Sequence, residues 1–182
     1  MKKNIISSLT ILSCCMSLVG CGINASIEPM TYNYQQSHKA TKKPANKNLI
    51  NAITVTEVKG GHEINPLLAS EISNNNYKAA LEKSLHNAKL SQQSTPAAKY
   101  SLDATILRFE RPIIGLNFTS TLTVDYKLSS TKDHKTVFHK TIKASYTAKM
   151  SDSLIAVTRL KMANEGAARE NIKKLINALY KI

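Results

Sequence analysis

Reactive side chains are few in this chain and unevenly placed. All three cysteines, Cys14, Cys15 and Cys21, lie near the start of a 182-residue sequence, so no disulfide framework and no thiolate metal site can form further along. The sequence contains no Gly-x-Ser-x-Gly elbow, no phosphate-binding glycine loop and no His-Glu-x-x-His pair, and no catalytic residue is assigned. The best polar cluster is His62-Glu63, which follows Gly60-Gly61 and precedes Asn65-Pro66. A glycine-bearing loop that runs into a helix N-terminus can hold an anion. His62 and Glu63 are therefore a weak anion-site candidate, set against a plain loop-and-cap role. His134 and His139 flank an expected hairpin, and two imidazoles lack the third ligand a metal site needs. No metal or dissociable cofactor is expected.

Cys21 stands apart because of what precedes it. Lys2 and Lys3 lead into an apolar run from Ile5 to Val19, and a run of about 15 residues is a secretory h-region, short of the roughly 20 that cross a bilayer. The sequence Leu18-Val19-Gly20-Cys21 resembles the lipobox of diacylated bacterial lipoproteins. The resemblance implies cleavage between Gly20 and Cys21, with a thioether-linked diacylglycerol and an N-acyl chain on Cys21. Such chains would hold the protein to a membrane almost permanently, since each buried methylene adds about 0.8 kcal/mol. Gly22 follows the cysteine where enterobacterial lipoproteins retained at the inner membrane usually carry Asp. By that analogy the expected address is the inner leaflet of the outer membrane, facing the periplasm.

Charge narrows the partners. The chain has 25 basic and 12 acidic side chains, a formal charge of +13, and such a surplus attracts polyanions. In an exported protein these are anionic lipids and acidic protein faces, and nucleic acid is not expected. Residues 1–20 read as signal peptide, 21–48 as a lipidated, disordered, basic tether and 49–182 as one domain. The tether includes Lys39, Lys42, Lys43 and Lys47; its flexible span would be near 30 Å, letting the domain stand off the bilayer.

The elements of the domain follow from periodicity. Leu49 to Val58 is rich in β-branched residues and stops at Gly60-Gly61, a first strand. Asn65-Pro66 opens a helix that Asn74-Asn75-Asn76 breaks or kinks, with Tyr77, Ala80, Leu81, Ser84 and Leu85 resuming the apolar stripe. Three alternating strands follow, with Tyr100 to Ile106, Phe118 to Leu128 and Phe138 to Ala148 each apolar on one face. Ser151-Asp152-Ser153 supplies caps for a closing helix over 154–180, with Glu165–Arg169 and Glu170–Lys174 pairs four apart. The order β-α-β-β-β-α gives an α+β, two-layer sandwich: a four-stranded, mainly antiparallel sheet with two helices on one face. Ile113, Ile114 and Leu116 fall at a hairpin tip where polar turn residues are usual, which makes them candidates for contact with a partner or lipid.

Gly60-Gly61-His62-Glu63-Ile64-Asn65-Pro66, Tyr100 to Leu107 and Ala156 to Glu165 resemble a family of small Gram-negative lipoproteins. That group is similar to the auxiliary lipoproteins of ABC-type transport systems and, more distantly, to the lipopolysaccharide-assembly lipoprotein. Some relatives carry the label UDP-N-acetylglucosamine acyltransferase. Enzymes of that name are parallel β-helices of hexapeptide turns, and this chain has no six-residue repeat. The resemblance and the absence of a catalytic motif imply a non-enzymatic, lipid-anchored accessory or adaptor protein with an envelope protein partner. A lipid-handling module, holding acyl chains between helices and sheet, is the first alternative. An envelope acyltransferase or hydrolase is the second.

Overall fold

A computed structural model describes residues 25–37, 46–61, 71–91, 98–112 and 114–182. Two single helical turns, α1 (Ile27–Met30) and α2 (Tyr34–Ser37), come first, and a 3-10 turn over Lys47–Leu49 leads into β1 (Ile53–Lys59). Helix α3 (Asn74–Asn87), strands β2 (Tyr100–Glu110), β3 (Phe118–Ser130) and β4 (Thr136–Ala148), and helix α4 (Ala156–Leu179) complete the chain. The sheet order is β1-β2-β3-β4. β1 runs parallel to β2 and the other two pairs are antiparallel. A parallel pair needs a crossover, and α3 provides it; the antiparallel pairs need only hairpins.

Alternation decides which face packs. Leu122, Val124, Tyr126 and Leu128 of β3 point inward with Leu102, Ala104 and Ile106 of β2 and Ile142 of β4, all buried. They meet Tyr77, Leu81 and Leu85 of α3 and Ile172, Leu175, Ile176 and Leu179 of α4 in one hydrophobic cluster. The outer face is ruled by cross-strand polar pairs: Thr119 with Thr147 and Thr121 with Ser145, each at 2.8 Å between hydroxyl oxygens. Asp125 there accepts from Thr141 at 2.7 Å and bonds His139 at 2.8 Å. This is the expected two-layer α+β sandwich, with β1 the one parallel strand.

Several expectations need correction. The first is the disordered tether. Residues 25–37 are seated on the helix layer, with Ala25, Met30, Tyr32 and Tyr34 buried. The Tyr32 N–H donates to Ser84 Oγ at 2.8 Å, the Ser26 N–H donates to Glu165 Oε1 at 2.6 Å, and the Tyr34 ring stacks on Tyr180 at 4.4 Å. Burial of these apolar side chains offsets the ordering of the stretch. The packed domain thus includes 25–37 and 46–48 as well as the region from 49. The lysines at 39, 42 and 43 lie outside the described residues.

Second, Asn74-Asn75-Asn76 is itself helical, the first turn of α3, and the non-helical residues before it are 71–73. The Ser73 hydroxyl accepts the Asn76 N–H at 3.2 Å, Asn74 Oδ1 accepts the Gly61 N–H at 2.8 Å, and Asn76 Nδ2 donates to the Ala25 carbonyl at 3.0 Å. Short polar side chains suit a first turn because its N–H groups have no partner within the helix. The start expected at Asn65-Pro66 lies outside the described residues. Third, Ser151-Asp152-Ser153 does not cap α4. The helix starts at Ala156 with Ile155 at the N-cap and no side-chain bond there. The expected Glu165–Arg169 and Glu170–Lys174 pairs are also replaced. Glu165 takes Lys161 at 3.8 Å and Glu170 takes Lys173 at 3.2 Å. Arg169 donates to the Pro29 carbonyl and Lys174 to the Lys143 carbonyl, both at 2.8 Å.

Candidate functional site

The antiparallel register brings two loops to one end of the molecule. Phe118, the first residue of β3, pairs with Ala148, the last of β4, so the β2–β3 hairpin lies beside the β4–α4 connection. Asn117 joins them, its Oδ1 accepting the Met150 N–H at 3.0 Å. Beneath the junction Phe118, Ala148 and Ala163 form a small buried cluster with Tyr146, Leu160 and Met162 against it. Arg159 roofs that cluster. Its guanidinium lies 5.4 Å over the Phe118 ring and donates to the Ser153 carbonyl at 2.6 Å.

Outward from this frame the end is apolar. Ile114 is 90% exposed, Leu154 82%, Leu116 70% and Ile155 62%, and Met150 and Val157 are exposed as well. Single exposed apolar residues are ordinary; a group gathered at one end is the candidate contact surface. Of the hairpin-tip candidates, Ile114 and Leu116 are found here; Ile113 lies outside the described residues. Leu154, Ile155 and Val157 are functional candidates that a helical reading of 154–180 absorbed. Their signal was the run Leu154-Ile155-Ala156-Val157, four apolar residues with no polar face between them.

His62 and Glu63, like Gly20 and Cys21, lie outside the described residues. Beside Gly60 and Gly61 there is a cleft of about 350 Å³ that includes Glu71, Ile106, Phe109 and Arg111. Arg111 Nη2 pairs with the Glu71 carboxylate at 3.1 Å and its guanidinium lies 5.9 Å over the Phe109 ring. His139 is held by Asp125, while His134 occupies a left-handed turn position with φ of 57°. No group of three metal-ligating side chains occurs among the described residues. On the sheet, Glu110 pairs with both Arg108 and Lys143.

Ionisation follows burial. Tyr77 and Tyr126 are buried and their hydroxyls meet at 2.5 Å; desolvation pushes both phenols well above the ordinary range. Tyr180 is pushed up to about 12, first by burial and then by Tyr34. Asp125 is held below the usual carboxylate range by the Thr141 and His139 hydrogen bonds. None of these groups converges on a cleft.

No family model matches the chain, and no curated protein matches it. Solved structures share the fold, two of them as follows. A Caulobacter crescentus protein described as a lipoprotein is 22% identical over 72% of this chain and 90% of its own, with a TM-score of 0.51. A Xanthomonas campestris protein of the DUF330 family is 13% identical over 76% and 88% respectively, with a TM-score of 0.56. At these identities the likeness is one of fold. Among the described residues no helix is long and apolar enough to cross a membrane.

Proposed function

We propose that the protein is a lipid-anchored accessory protein of the bacterial envelope, working through its surface rather than through catalysis. The observation that carries the reading is the N-terminal sequence: Lys2-Lys3, an apolar run too short to span, and Leu18-Val19-Gly20-Cys21. Its fold, shared with a protein described as a lipoprotein, supports it. Cys21 would carry the diacylglycerol and N-acyl chains, and Gly22 favours the inner leaflet of the outer membrane. Kinship with transport-auxiliary lipoproteins, and an envelope protein as partner, belong to the same proposal.

Support for a surface role comes from the interior. The space between helices and sheet is occupied by Tyr77, Leu81, Leu102, Tyr126, Asn171 and Ile172, all fully buried, which gives the acyl-holding alternative no observation in its favour. The test is intact mass of the protein from its native host, with wild type compared with Cys21→Ser. Acylation of the wild type with its first residue at Cys21 is expected. An unmodified thiol, or a chain still beginning at Met1, would refute the anchor. Cross-linking in intact cells then asks for a partner that recurs with the anchored form and is lost from Cys21→Ser.

A further inference from the structure

We infer that the apolar end formed by Ile114, Leu116, Met150, Leu154 and Ile155 rests in the interfacial layer of the same membrane that holds Cys21, fixing the domain's orientation. This rests on the lipid-anchor reading above and adds to it which way the domain faces. The anchor's reach is short. Ala25 is buried on the helix layer, held by Asn76 of the first turn of α3, and the Ser26 N–H is held by Glu165. Ala25 is only four residues on from Cys21, and four extended residues cover at most about 14 Å.

The position of Glu165 along α4 turns that reach into a direction. It is nine residues from Ala156 and fourteen from Leu179, distances of about 14 Å and about 21 Å at the helical rise. A membrane at the apolar end is therefore within range of the anchored cysteine, and one at the opposite end is not. From Ala25 the chain descends toward that opposite end, where Tyr34 stacks on Tyr180, so the described N-terminal segment adds no reach. The helix flank offers a poor alternative face: it carries the Lys83–Glu28, Lys78–Glu82 and Lys173–Glu170 pairs.

Chemistry agrees with reach. Large aliphatic side chains projecting from two adjoining loops suit the boundary between headgroups and acyl chains, and Lys149, exposed beside Met150, suits the phosphates above it. Acyl chains on Cys21 already secure binding, so the apolar end sets orientation rather than affinity. A domain so placed presents the opposite end, with the Thr131 to Lys135 turn, to the aqueous side.

The chain has no tryptophan, which makes single-tryptophan probes clean. Leu116→Trp and Leu154→Trp report on the apolar end, and Lys132→Trp on the opposite turn; all three positions are exposed, so packing is undisturbed. Each variant is purified acylated at full mature length and reconstituted into phosphatidylethanolamine–phosphatidylglycerol vesicles, with or without brominated acyl chains. The two probes at the apolar end are expected to emit at shorter wavelength than the probe in the turn and to lose several-fold intensity to the brominated lipid, with the turn probe unaffected. Acylated, vesicle-bound protein in which all three probes are equally open to aqueous iodide would overturn the orientation alone. An unacylated mature chain, seen by intact mass, would overturn the anchor and the orientation together.

Discussion

Replacing Tyr126 by Phe should cost more than replacing its partner Tyr77, and the double replacement should cost less than Tyr126→Phe alone. The three polar side chains at the centre of the sheet–helix interface have one consistent arrangement of protons. Asn171 Nδ2 donates to the Leu122 and Ile142 carbonyls at 3.0 and 2.8 Å, which leaves Oδ1 as the acceptor for the Tyr126 hydroxyl at 2.8 Å. With its proton so used, Tyr126 must accept from Tyr77 at 2.5 Å. Tyr126→Phe then strands two buried groups, Asn171 Oδ1 and the Tyr77 hydroxyl, at about 1–3 kcal/mol each, for a loss near 3 kcal/mol. Tyr77→Phe removes one hydrogen bond and strands no donor, about 1 kcal/mol. In the double variant only Asn171 Oδ1 is left over, so removing the Tyr77 hydroxyl from the Tyr126→Phe background should restore about 1 kcal/mol. Urea unfolding followed by far-ultraviolet circular dichroism measures all four corners of the cycle. Additive losses would refute the proton arrangement and with it the claim that this network is fully satisfied.

Gly166→Ala should be strongly destabilising, because a Cβ there would crowd into the Tyr146 ring at 2.2 Å; overpacking typically costs about 1–3 kcal/mol, read as a lower urea midpoint. Tyr32→Ala removes a buried ring on the N-terminal segment and should lower stability by about 3 kcal/mol, whereas a disordered tether would show no change. The depressed ionisation of Asp125 stabilises the fold above the ordinary carboxylate range and is lost as pH falls through its lowered folded value. Asp125→Asn should therefore be slightly less stable than wild type at pH 7, with the gap closing below about pH 4. The raised phenols of Tyr77 and Tyr126 act in the opposite sense: their contribution is full below the ordinary tyrosine range and disappears at higher pH. Alkaline titration should show phenolate absorbance from these two only together with loss of the circular-dichroism signal.

What was legible in the sequence and what was not divide along a physical line. The meander was legible because β3 alternates strictly, with Leu122, Val124 and Tyr126 buried and Thr121, Thr123 and Asp125 turned to the outer face; a period of two says at once which face packs. The segment over 25–37 was not, because Met30, Tyr32 and Tyr34 are buried by a chain that follows no repeat, and their receptors, Ser84 and Tyr180, are more than fifty residues away. Composition reads such a stretch as solvated; only the groove waiting between α3 and α4 makes it ordered. The apolar end was half legible for the same reason. Ile114 and Leu116 stood out as greasy residues at a turn, while Leu154 and Ile155 looked like the start of an amphipathic helix, since Leu160 and Ala163 continue a helical spacing. The pairing of Phe118 with Ala148 makes the two loops neighbours. Once they are, the exposed aliphatic side chains of both loops share one end, and the proposed anchor at Cys21, four residues from Ala25, would bring that end to the membrane.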